Sequence, residues 1–369
     1  MIKIKLAVSV ISAALSLAAS TAGAATGAQD TRRVYVMSNK PTNSVLVFDR
    51  ASNGSLTFRQ EIGTKGEGTG VTLDPFMSQG ALAMNPDGTV LVAVNAASGE
   101  ITAFTVTDNG LAFGSKLPSG GDFPVSATIY NGAVYVLNQL GIPNITGFRV
   151  NDAGQLSLIP SSKRALAGGA LALPAEVSFT PDGTQIIVTE KGTQLLDIFN
   201  VLSNGLTDGP VAQRSSGKTP FGFAFGPSSS VIISEVENRL PLKATTSSYL
   251  LTGTGKLQPV SATVPDNGTA ACWVAVTGDV AWVVNTGTAT ISSYQIGAGG
   301  NLTLLNPAAA STGAGSTPID AAASSDGAYL YDLLSATGEI AVFAINGGNL
   351  TPLSTVSGLP LSIQGIVVR

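Results

Sequence analysis

Turn signals recur along this chain near residues 88, 132, 183, 228, 278 and 327, at intervals of about 44 to 51 residues. A regular interval of this length is the strongest constraint on the fold, because each copy must be one supersecondary unit that buries its apolar face against the next. Residues 174–199, PAEVSFTPDGTQIIVTEKGTQLLDIF, show the unit most clearly. They read as a short strand, a Pro-Asp-Gly turn, a second strand, an acidic residue at Glu190, a polar turn and a third strand. Where the pattern continues, a fourth strand follows, as at 111–117 and 350–353. Four strands per repeat of this length are the signature of a β-propeller.

Seven copies can be counted. The first lacks its initial strand, and the tail 360–368, PLSIQGIVV, resembles that strand with nothing after it. The expectation is therefore an all-β fold, a seven-bladed β-propeller of four-stranded antiparallel blades, closed by the C-terminal strand completing the first blade. The composition agrees. Glycine (43) and proline (19) are abundant, charged residues make up only 11%, and no long amphipathic helix is evident after the N-terminus.

The domain reading assigns residues 1–24 to a secretory signal peptide, 25–32 to a polar leader and 33–369 to a single propeller domain. Lys3 and Lys5 form the basic start of the signal, 6–19 its apolar stretch and 22–24 its small-residue cleavage site. The protein is thus expected to be secreted or periplasmic, with no membrane span after signal removal. Loss of residues 1–24 takes the formal charge from −4 to −6, which argues against nucleic acid and anionic membranes as partners. The chain has no histidine and one cysteine, Cys272. Histidine-dependent catalysis, histidine-ligated metal and an internal disulfide are excluded together.

Aligning the repeats yields two rings. Ala81, Ser126, Glu176, Gly222, Trp273, Asp320 and Ser362 stand near the start of each inner strand. Asn39, Asn95, Asn138, Glu190, Glu235, Asn285 and Leu334 stand at the end of each second strand. Both rings should surround one mouth of the central channel. The repeated asparagine reads first as a turn cap. Glutamate forms turns less well, so Glu190 and Glu235, with Glu176, are the candidate catalytic residues. Ser126, Trp273, Asp320 and Asn285 are the candidate ligand-binding residues. A group of acids there can divide into acid and base, hold a hard cation or a polyol, or simply be solvated. Trp273 reads either as a stacking platform or as a packed channel plug. No metal and no cofactor is assigned. The glycine-rich connection 63–80 reads as a cover over one face or as a surface insertion.

The wording of the repeats, SQGALAMNPDG at 78–88 followed by 90–95 and FTPDG at 179–183, resembles the lactonase-type seven-bladed propellers. These include 6-phosphogluconolactonase-like and carboxymuconate cyclase-like proteins. The resemblance implies a lactone hydrolase or a muconate-type cycloisomerase, with a small-molecule lactone or sugar-acid ligand. A non-catalytic propeller with a protein partner is the alternative. The family's P-R-H-x-x-F signature corresponds to 220–225, PFGFAF, where Phe221 replaces the arginine and Gly222 the histidine. Glu235 after Ser234 matches the acid of the family's N-E pair. Lys191, Arg239 and Lys243 are the nearby cations.

Overall fold

The computed structural model describes residues 32–253 and 255–369; the signal and most of the leader fall outside the described residues. Seven antiparallel sheets follow one another along the chain, six of four strands and one of five. The fifth strand is a two-residue addition, Arg164–Ala165, beside the third strand of blade three.

Burial falls from the inside of each blade to the outside. Second strands such as Val90–Asn95, Gln185–Glu190 and Val280–Asn285 are buried at every residue. They lie between two neighbouring blades, which is why they read as nearly continuous apolar runs rather than alternating ones. Outer strands such as Leu56–Gly63 and Leu257–Pro265 have one side in solvent. The joints between blades use tyrosine, whose ring fills space while its hydroxyl reaches a partner. Tyr135 donates to Gly205 O at 2.8 Å and Tyr331 to Gly54 O at 2.9 Å, each in a turn of the next blade.

Ring closure occurs as the tail implied. Ile366–Val368 pairs antiparallel with Arg33–Met37, placing Val34 opposite Val368 and completing the first blade. Arg369 N donates to Arg33 O at 2.8 Å, and Arg50 pairs with Asp326 of blade seven at 3.0 Å. Deleting residues 366–369 leaves the inner edge of Arg33–Met37 without a strand partner at the centre of the ring, while its other edge stays paired with Ser44–Arg50. Thermal unfolding of that deletion should show a Tm lower by several degrees or more, and an unchanged Tm would mean that closure does not depend on this strand.

Candidate functional site

Five of the seven inner strands begin with a register break. One residue is skipped between Pro124 and Ser126, between Pro174 and Glu176, and between Ala271 and Trp273; two are skipped between Pro220 and Phe223. In blade seven the skipped residue is Asp320 itself, with φ 50°. Such bulges re-aim side chains at the rim of a sheet. Here they turn the first ring toward the channel axis.

That end of the channel is closed by the chain's own insertion. Among the expectations for 63–80, the cover is the one realised, and its last residues enter the mouth. Phe76 is 1% exposed and packs edge-on against Phe123. Gln79 acts as a strand substitute: its Nε2 donates to Phe223 O at 3.3 Å and Val274 O at 3.0 Å, and its Oε1 accepts from Val274 N at 3.0 Å. Gly222 makes room for it, since a Cβ there would come 2.6 Å from Cys272 O and overlap Gln79 Oε1. Trp273 Nε1 and Gln364 Nε2 both donate to Ser78 O, at 2.9 and 2.8 Å. Lys191 reaches Met77 O and, at 3.1 Å, Pro174 O. Asp74 lies near Lys191 and Arg239; burial raises its carboxyl to about 6 against the pull of both cations, and burial lowers Lys191 to about 8.

In this arrangement the four residues expected to contact a ligand are all buried. Trp273 is fully buried beneath the insertion and against Phe221, at 5.1 Å between centroids, so it is packing and not a stacking platform. Ser126 is fully buried and accepts from Val177 N at 3.2 Å. Asn285 is fully buried and donates to Asp266 and Ser292. Asp320, 4% exposed, does not open to solvent at this mouth.

The second ring lies on the same side as the first but does not line the channel. Asn138 bonds Ser119 in the connection entering its own blade. Glu190 and Glu235 do the same with longer arms. Glu190 Oε1 accepts from Gly168 N at 3.0 Å and Oε2 from Thr193. Glu235 Oε1 accepts from Gly217 N at 2.8 Å and Oε2 from Thr245 at 2.6 Å. Both are fully buried. Their expected place at the channel is therefore corrected: each ties a blade-connecting loop to the end of a second strand, the duty asparagine has elsewhere. A carboxylate suits these two places because each loop offers a backbone N–H.

The channel remains open from its other end, where the Pro-Asp-Gly turns lie. A cavity of about 750 Å³ runs between the inner strands of five blades, with Pro86, Asp87, Thr180, Pro181 and Arg369 toward the rim and Gly80, Ala127 and Glu176 at the inner end. Glu176 is 6% exposed, and its Oε2 accepts from Phe223 N at 2.6 Å. Burial holds its carboxyl well above the usual range, with the nearby Asp320 adding to the effect and the Phe223 bond opposing it. Burial thus disfavours the charged form of Glu176 and favours the protonated one, which can donate a hydrogen bond.

Two buried acids were not read as a pair from the sequence. Asp320 is raised to about 8 by burial, and Asp332 is raised by burial and by Asp320. Asp320 Oδ2 and both oxygens of Asp332 have no hydrogen-bond partner among the described residues. The signal for Asp332 was present: one carboxylate in the otherwise apolar run YLYDLL, 329–334. Among the described residues no group of three or more acidic or cysteine side chains is placed to hold a metal ion.

Comparison with known proteins follows the same lines. Residues 28–172 match the family described as Lactonase, 7-bladed beta-propeller. A proposed 6-phosphogluconolactonase from Bacteroides fragilis superposes with a TM-score of 0.70 at 16% identity, covering 93% of this chain and 99% of that one. The periplasmic gluconolactonase of Pseudomonas aeruginosa gives 0.66 at 15% identity, covering 90% and 98%. At these identities the likeness is one of fold. No curated protein sequence matches the chain.

Proposed function

We propose that this chain, a seven-bladed propeller of the lactonase type, binds a small, oxygen-rich neutral molecule such as a sugar lactone in the turn-side end of its channel, with Glu176 as the polar anchor. The observation that carries the reading is the placement of Glu176: a buried carboxyl at the inner end of the cavity, one oxygen fixed by Phe223 N and its charged form disfavoured by burial. Carbonyl and ring oxygens of a lactone accept hydrogen bonds, and a protonated carboxyl donates one without placing an uncompensated charge at a buried position. The leader-like residues 1–24 add export to this proposal.

Turnover is the second reading, and the raised carboxyl favours it. Water would add to the lactone carbonyl carbon as the ring C–O bond breaks. Glu176 would give its proton to the departing ring oxygen and regain one from the added water, yielding the open hydroxy acid. Neither reading uses Glu190 or Glu235.

Two substitutions separate these readings. Glu176→Ala removes the anchor and should weaken binding of glucono-δ-lactone about tenfold or more by calorimetry, the scale of one lost hydrogen bond in a buried site. Glu176→Gln retains a donor but has no proton to transfer, so it should bind near the wild-type level and lose any turnover. Wild-type affinity in Glu176→Ala would remove the cavity from the proposal.

A further inference from the structure

The face carrying the inserted segment differs in chemistry from the opposite face. Sixteen large apolar side chains stand exposed among the described residues, and ten of them are on the loops of this face. The most prominent are Leu171, 74% exposed, and Ile142, 68%. Leu73 and Met77 lie on the inserted segment itself, and Leu240 and Leu242 on the loop of blade five. Scattered exposed leucines need no explanation, but their concentration on one face does.

The loops are linked through the insertion. Gln139, beside Leu140, donates to Phe76 O. Lys191 joins Met77 O to Pro174 O, next to Leu173. Arg239, adjoining Leu240, contacts Met77 Sδ at 3.5 Å. The apolar tips are thus held on a common platform with the insertion at its centre.

Charge divides in the same sense. On this face four cations, Lys65, Lys218, Arg239 and Lys243, are exposed against two acids, Glu67 and Asp122. At the opposite face the turns expose Asp87, Asp108, Asp152, Asp182, Asp279 and Asp326. The net acidity that argued against anionic surfaces therefore belongs largely to the far side, and a docked molecule would face its acidic turns away. The exposed apolar groups of this face are aliphatic, without tryptophan, tyrosine or phenylalanine. Protein interfaces are depleted in lysine, whereas leucine-bearing loop tips beside lysine and arginine suit the boundary of an anionic lipid layer.

We propose that this face docks on an anionic lipid bilayer, its aliphatic loop tips entering the headgroup boundary and its lysine and arginine side chains meeting lipid phosphates. The turn-side cavity then remains open to water.

The test is co-sedimentation of the mature chain, without residues 1–24, with phosphatidylcholine vesicles, with and without phosphatidylglycerol, at low and high salt. Binding should need the anionic lipid and fall severalfold at high salt. Leu171→Ser with Leu240→Ser should reduce the bound fraction at least fivefold, and so should Lys218→Glu with Lys243→Glu. Both pairs are exposed, so circular dichroism and Tm should match the wild type. Absence of vesicle binding by the wild type, or binding unchanged in both variants, would overturn the proposal. So would concentration-dependent dimerisation abolished by the leucine substitutions, which would assign the face to a second copy of this chain.

Discussion

Gly222→His should lower stability by roughly 3 kcal/mol, the upper range for an overpacked core, although histidine is the residue that lactonase-type relatives are expected to carry there. The first Cβ already comes 2.6 Å from Cys272 O, a backbone atom of the next inner strand, and overlaps Gln79 Oε1. Gln79 must withdraw, and with it go its bonds to Phe223 O, Val274 O and Val274 N. Each is worth about 1 kcal/mol when satisfied and more when its buried partner is left alone. Gly222→Ala meets the same carbonyl with a smaller group and should cost about 1–3 kcal/mol. Adding Gln79→Gly should recover only part of this, because Cys272 O stays where it is. Urea unfolding of the two single variants and the double variant measures all three values. A Gly222→His protein as stable as the wild type would show that the insertion moves aside freely. The space that a larger residue at 222 would need is thus taken by Gln79 and by Cys272 O, and a substitution at 222 alone cannot open a site at that mouth.

The ring of blades was legible because its signals are local. Pro-Asp-Gly and Asn-Gly turns fix the hairpins, and second strands packed on both sides must be apolar throughout. Where a strand lacks that pressure it was missed: Leu257–Pro265, LQPVSATVP, is the outer strand of blade five, largely exposed, and carries little pattern. The site was legible in position but not in direction. Glu176, Trp273 and Asp320 do gather at the channel, yet bulges decide which way each side chain turns, and the repeat pattern does not encode that choice. Glu190 and Glu235 stood out as departures from asparagine, but their partners are N–H groups of Gly168 and Gly217 in loops some twenty residues upstream. Gln79 was the hardest to see. Its partners lie 144 and 195 residues away, beyond any local rule.

Stability should fall as pH rises from 5 to 8, the reverse of a protein held by paired surface carboxylates. Asp320 sets the window most clearly: its carboxyl stands at about 8 in the folded chain against an ordinary 3.8, because burial disfavours the charge. A group raised on folding contributes its full stability below its unfolded value and loses it as pH climbs through the folded one. Asp320 therefore favours folding near pH 4 and has ceased to do so above pH 8. Glu176 and Asp332 are shifted the same way by burial, and Asp197, also raised to about 8, adds to the slope. Asp182 is held below its usual range chiefly by Thr180, and Asp326, against the opposing effect of burial, by Ser324, Ala328 and Arg50; what they contribute is fully present above pH 5 and is lost only as pH falls below about 4, outside the window. Asp320→Asn isolates one member. Asparagine keeps an oxygen to accept from Gly365 N and cannot ionise, so the variant should match the wild type near pH 4 and exceed it by several kcal/mol at pH 8, with about 5 kcal/mol as the upper bound that the full shift sets. Asp332 sharpens the test, because its own two unpartnered oxygens lie near enough to raise its carboxyl through Asp320. With Asp320 made neutral, Asp332 should lose its proton at lower pH, leaving a residual fall in stability that Asp332→Asn removes. Urea unfolding at pH 4.5, 6 and 8 reads each step, and a wild-type stability that is flat or rising across that range would mean these acids are not held neutral by the channel wall.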